Sequence, residues 1–111
     1  MKEIKKGDIC LVDLNDKYHN VQSGRRPCLV VQNNYGNTFS PTLIVVPLTT
    51  KLKKVHLPVH VIIGLNEMAL CECILTISKK QTISYMKSLD EKTMKLIDRA
   101  LSISLGIKEE E

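Results

Sequence analysis

Apolar positions along this chain come in short bursts rather than long stripes. "DICLVDL" (Asp8–Leu14) alternates partly, "CLVVQ" (Cys28–Gln32) and "TLIVVPL" (Thr42–Leu48) are nearly continuous apolar runs, and "LPVHVII" (Leu57–Ile63) is β-branched. With "ALCECILTI" (Ala69–Ile77) and "ISYMKSL" (Ile83–Leu89) they predict about six strands, since short alternating or apolar runs bounded by polar turns suit a pleated, half-buried surface. One segment is periodic in the helical sense: Met94, Ile97, Ala100, Leu101 and Leu105 recur at intervals of three and four. Ser88 and Glu91 ahead of it have capping-box spacing, and Gly106 stands where a C-terminal cap is expected. A shorter turn begins at Ser78, with Gln81 three residues on. Many short strands and one packing helix predict a mainly β fold with a C-terminal helix, built as a small, curled antiparallel sheet or barrel.

At 111 residues and 43% apolar content, residues 1–111 are read as one domain with enough material for a core that needs no disulfide or metal. No apolar run approaches the roughly 18 residues of a membrane span, and "MKEIKKGD" lacks the apolar stretch of a secretory signal, so a cytoplasmic chain is expected. In that compartment the four cysteines are reduced thiols filling core space. Sixteen Lys and Arg against twelve Asp and Glu give a formal charge of +4, and Glu109, Glu110 and Glu111 lie in a terminal "KEEE" read as a flexible acidic tail over 108–111. The remaining body is more basic still, which favours an anionic partner.

Two polar segments stand out. The longest connection, "NDKYHNVQSGRR" (Asn15–Arg26), carries Tyr18, His19, Gln22, Arg25 and Arg26, and loops of that length in compact domains tend to be functional. "TTKLKK" supplies Thr49, Thr50, Lys51, Lys53 and Lys54 directly after the central strand. The planar fork of arginine offers paired N–H donors to phosphate oxygens, so the two segments form an anion site if they meet at one end of the sheet. His19 in the long loop is a candidate general base near neutral pH.

Other chemistries fit poorly. His56 and His60 in "HLPVH" imitate a metal pair, but Pro58 between them disfavours a helix, and on a strand they would stand about 13 Å apart, too far to share an ion. Cys71 and Cys73 would share a strand face, yet no second close pair completes a metal site. Five scattered glycines match neither a P-loop nor a dinucleotide fingerprint, and no carboxylate pair falls on one face. No cofactor is expected.

Several stretches together resemble the MazF/PemK family of toxin endoribonucleases: "KGDICLVDL", "GRRPCLVVQNN" with its Arg-Pro before a strand, "GNTFSPTLIVVPLT", "LPVHV" and "LDEKTMKLIDRALSISLGI". Order and spacing agree from about Lys6 to Ile107. The resemblance implies an SH3-like barrel of the CcdB/MazF type, a homodimer, metal-independent cleavage of single-stranded RNA, and a cognate antitoxin as inhibitor. The family's catalytic arginine before proline falls on Arg26, its catalytic threonine on Thr49, and Arg25 takes the neighbouring, non-catalytic position. RNA contacts would then come from Tyr18, His19, Gln22, Arg25, Thr50, Lys51, Lys53 and Lys54. The sequence departs from the family pattern at Val21, where a glutamate is common, and at Cys73 and Leu75, where Gln and Arg are common. A gyrase-binding toxin resembling CcdB and a catalytically inactive RNA-binding relative are the alternative functions.

Overall fold

The computed structural model describes residues 2–15, 24–51 and 58–107. Its elements run β1 (Asp8–Asp13), β2 (Arg25–Val30), α1 (Asn34–Phe39), β3 (Thr42–Thr49), β4 (His60–Ile62), β5 (Met68–Leu70), β6 (Leu75–Ser78), a single 3-10 turn (Lys79–Gln81), β7 (Thr82–Ser88) and α2 (Glu91–Leu105). The strands form one antiparallel sheet in the order β4-β5-β3-β2-β1-β7, with β6 also on β3. β4 and β7 share no ladder, so the sheet curls without closing. The expected mainly β architecture with a C-terminal helix is present.

Why β2 and β3 read as unbroken apolar runs is plain from their two faces. On one side Cys10, Val12, Cys28, Val30, Val45 and Ile77 pack together inside the curl. On the other, Ile9, Leu29, Val46, Leu48 and Ala69 meet Ile97 and Ala100 of α2. Alternate residues of the same strand thus enter different cores, and neither face tolerates a polar side chain. Each fully buried Ile or Leu contributes about 1.5–3 kcal/mol relative to exposure. Gly106 closes α2 at φ 68 with its N–H on Ile103 O, a left-handed cap that glycine adopts without Cβ strain.

Several sequence expectations need correction. The N-cap of α2 is Asp90, whose Oδ1 accepts the Thr93 N–H at 2.7 Å, not Ser88. Ser88 ends β7, where its hydroxyl is taken by Asp8 Oδ1 at 2.7 Å. The run Ala69–Ile77 splits into β5 and β6 around a turn in which the Cys73 N–H bonds Leu70 O, so Cys71 and Cys73 share no strand face. Of Leu57–Ile63 only His60–Ile62 is strand; Pro58 and Val59 form a turn, and His56 and Leu57 lie outside the described residues. The tail 108–111 also lies outside them. Helix α1 was not anticipated, because "NYGNTF" has no apolar stripe; Asn33 caps it through Gly36 N–H, and Gln32 and Asn37 anchor it by mutual side-chain and backbone bonds of 2.9–3.1 Å. The turn at Ser78 has the capping box expected of Ser78 and Gln81.

Candidate active site at the Arg26 and Thr49 end of the sheet

Arg25 and Arg26 do not hang in the long loop as the sequence suggested: β2 already begins at Arg25. The Leu14 N–H bonds Gly24 O at 2.9 Å and the Gly24 N–H bonds Asn15 O at 3.2 Å, pinching the two strands together just before the arginines. Asn15 at φ 59 and Gly24 at φ 74 supply the left-handed residues that this closure requires. The ladder then sets Arg25 against Asp13 and Arg26 against Val12. Gln81 Nε2 adds a brace at 2.8 Å to Asp13 O.

Strand alternation separates the two arginines. Arg26 shares its side of β2 with Cys28 and Val30 of the inner core, and it is half-buried at the rim; Arg25 faces the other way and is exposed. On β3 the register pairs Cys28 with Pro47, Leu29 with Val46 and Val30 with Val45. The ladder ends at Cys28 and Pro47; by alternation Arg26 lies on the same side of β2 as Cys28, and Thr49 on the same side of β3 as Val45 and Pro47, so both belong to the inner side of the sheet.

Thr49 is the last residue of β3 and only 7% exposed. Its Oγ1 accepts the Lys51 N–H at 3.1 Å and its hydroxyl donates a long bond of 3.5 Å to Lys51 O, a local turn that holds the side chain in place. Thr50 and Lys51 follow, both exposed. Met68 of β5 stands opposite Thr49, a neighbour that sequence reading missed because β5 is joined to β3 only through tertiary pairing. The adjacent Glu67 has its carboxylate tied to Lys87 at 2.7 Å, so it does not neutralise this end. Asn15 and Gly24, which bracket residues 16–23, and Lys51, which precedes residues 52–57, all stand here. Tyr18, His19, Val21, Gln22, Lys53 and Lys54 lie outside the described residues. Among the described candidates, Arg25 and Arg26 open β2, while Thr49 closes β3 with exposed Thr50 and Lys51 after it.

Elsewhere the candidates are occupied structurally. His60 is buried, with Nε2 2.7 Å from Glu72 Oε2. Burial pushes the thiols of Cys28 and Cys71 up to about 12 and that of Cys10 above its ordinary value, so none is a thiolate nucleophile at neutral pH. Leu75 belongs to the inner core, while Cys73 is half-buried in the β5–β6 turn. Among the described residues no three His, Cys, Asp or Glu side chains gather as a metal site.

A small curled sheet with an arginine at the start of β2 and a buried threonine at the end of β3 carries donors of the kind that suit a phosphodiester. The family of such proteins is identified by comparison. Residues 5–105 match the family described as "PemK-like, MazF-like toxin of type II toxin-antitoxin system", and the chain belongs to that family. It is 39% identical to Endoribonuclease EndoA of Bacillus subtilis (strain 168) over 94% of this chain and 96% of that protein. Among solved structures it is similar to an endoribonuclease from a Mycobacterial species, with a TM-score of 0.82 at 25% identity, covering 99% of this chain and 98% of the other. An endoribonuclease in complex with its cognate antitoxin, also from a Mycobacterial species, matches with a TM-score of 0.82 at 27% identity over 96% of this chain and 99% of that one. MazF from Deinococcus radiodurans has the same fold, with a TM-score of 0.82 at 17% identity over 96% of this chain and 100% of its own.

Proposed function

We propose that this protein is the toxin of a type II toxin–antitoxin pair and a sequence-specific, metal-independent endoribonuclease that cuts single-stranded RNA with Arg26 and Thr49. The observation that supports the reading is that Arg26 opens β2 and Thr49 closes β3, two paired antiparallel strands, with alternation putting both on the inner side. The likeness to Endoribonuclease EndoA supports it.

In the reaction the RNA 2′-oxygen attacks the adjacent phosphorus. The O2′–P bond forms as the 2′ proton passes to a base, the P–O5′ bond breaks as the departing oxygen takes a proton from solvent, and the products end in a cyclic phosphate and a 5′-hydroxyl. Negative charge grows on the non-bridging oxygens as the phosphorus becomes five-coordinate. Fixed donors aimed there lower the barrier, and donors held on strands reorganise less than donors on a free loop. Arg26 supplies a delocalised positive charge with a two-pronged donor face. Thr49 supplies a hydroxyl proton from an oxygen already fixed by the Lys51 N–H. Arg25, Thr50 and Lys51, with Lys53 and Lys54, track the neighbouring phosphates, and Tyr18 and Gln22 contact bases. His19 is the candidate for removing the 2′ proton.

The partners follow from the same reading. A second copy of the chain would cover β7, an edge strand seven residues long whose Ile83, Tyr85 and Met86 are exposed. An antitoxin with an acidic segment would neutralise the basic end, as the antitoxin-bound relative suggests. The protein would act in the cytoplasm, where RNA is available and buried thiols stay reduced. The test is incubation with a long single-stranded RNA in EDTA, mapping the cut ends, beside a folded Arg26→Ala protein. Discrete cuts that vanish in the variant are expected; RNA left intact across varied sequences would sink the assignment in favour of an inactive binder.

A further inference from the structure

Helix α1 stands at the opposite end of β3 from Thr49, about 23 Å away along the seven residue steps of the strand. It carries no charged residue, yet Tyr35 and Phe39 project from it 76% and 71% exposed. Their rings meet at 4.8 Å with planes inclined by 51°, which leaves an outer face of each open. Only 4% of the chain is aromatic, so placing two of these rings on the surface is a costly use of scarce core material.

The surroundings of the pair are basic. Lys79 donates its ammonium to Asn37 O, directly beside α1, and exposed Lys80 follows it. On the other flank the Lys6 N–H bonds Asn34 Oδ1 at 2.7 Å, with exposed Lys5 preceding it. Against these stand Glu3, and on the Asn34 flank Glu91 and Asp98, the latter paired with Lys6 at 2.9 Å, while Lys95 adds a further positive charge there. Two open aromatic faces flanked by lysines combine stacking with phosphate attraction, the pairing that grips single-stranded nucleic acid without reading its sequence. A protein partner is the poorer fit. The two rings expose at most about 350 Å² together, well below the roughly 800 Å² that one side of a stable protein interface covers.

We propose that the outer face of α1 is a second, sequence-tolerant contact for single-stranded RNA, with Tyr35 and Phe39 stacking bases of the strand beyond the cut site. The proposal rests on the ribonuclease reading for its ligand. An RNA at the stacked rise of 3.4 Å per nucleotide needs about seven nucleotides to run from Arg26 to α1, so only longer substrates gain from it.

The test measures binding of a fluorescent 20-nucleotide single-stranded RNA to the Arg26→Ala protein, with and without Tyr35→Ala and Phe39→Ala together. The ring-exchanged pair Tyr35→Phe and Phe39→Tyr keeps both stacking faces and serves as the rescue. Alanine at both positions should weaken the long RNA roughly fivefold to a hundredfold, since stacking is worth about 1–3 kcal/mol per base. The exchanged pair should restore it, and cleavage of a four-nucleotide substrate by an otherwise native protein should not change. Unaltered affinity for the long RNA overturns the proposal, as does an equal loss on the short substrate or no rescue by the exchanged rings. RNA affinity that persists while subunit or antitoxin association falls assigns the face to a protein instead. RNA held through α1 but never cut by the native protein refutes the ribonuclease reading and leaves this contact standing.

Discussion

Replacing Thr49 by valine separates the chemistry of the site from its stability, because it removes one oxygen and keeps the shape. Structurally the hydroxyl accepts the Lys51 N–H at 3.1 Å and donates only a long 3.5 Å bond to Lys51 O. Lys51 is exposed, so water can take over that donor, and the loss falls at the low end of the 0.5–1.5 kcal/mol of a typical hydrogen bond. The added methyl sits on a residue only 7% exposed and returns up to about 0.8 kcal/mol. The net change in stability should therefore stay within about 1 kcal/mol, a few degrees in Tm at this chain length. Catalysis should suffer far more. Removal of one preorganised donor to a developing oxyanion costs on the order of 100- to 1,000-fold in rate, or about 2.7–4 kcal/mol of barrier. Single-turnover cleavage of a fluorogenic RNA, read beside thermal unfolding of the same samples, gives both numbers. Thr49→Ser should recover most of the rate. A Thr49→Val protein that cuts at the native rate would refute the placement of this hydroxyl on the phosphate, whatever its Tm.

Burial alone would raise the pKa of the Asp8 carboxyl, but the Lys2 ammonium, the Lys5 N–H and the Ser88 hydroxyl outweigh it and hold it below the ordinary value. Its contribution is therefore complete above the unfolded pKa near 4 and lost as pH falls through the lower folded value; urea midpoints should drop on acidification in the native protein and less steeply in Asp8→Asn. Ile97→Ala should cost about 2–5 kcal/mol in chemical denaturation, because this fully buried side chain joins α2 to the outer core. A thiol reagent at mildly alkaline pH should modify Cys73 first, and Cys10, Cys28 and Cys71 only on unfolding; rapid labelling of all four in the native state would contradict their burial.

Local pattern made much of this protein legible. Apolar runs marked β1, β2 and β3, helical spacing marked α2, and Gly106 marked its end, since each depends on residues within a few positions of one another. The misreadings share one cause. Ser88 looked like a cap, yet its hydroxyl belongs to Asp8, eighty positions away, and Asp90 took the role. The run Ala69–Ile77 looked like one strand, but β3 pairs with its two halves in different registers, forcing the turn between Leu70 and Leu75.

The candidate site divides in the same way. Sequence by itself offered a polar-basic set in two segments, because guanidinium, ammonium and hydroxyl groups carry their donors wherever they stand, and the family resemblance singled out Arg26 and Thr49 among them. It also announced the family through motifs spread over nearly the whole chain. Only the tertiary structure decided that β2 begins at Arg25, that Arg26 and Thr49 share a face, and that Tyr35 and Phe39 stand apart from them at the far end of β3. Strand register links residues through hydrogen bonds between distant segments, and a slip of one position would turn every side chain to the opposite face.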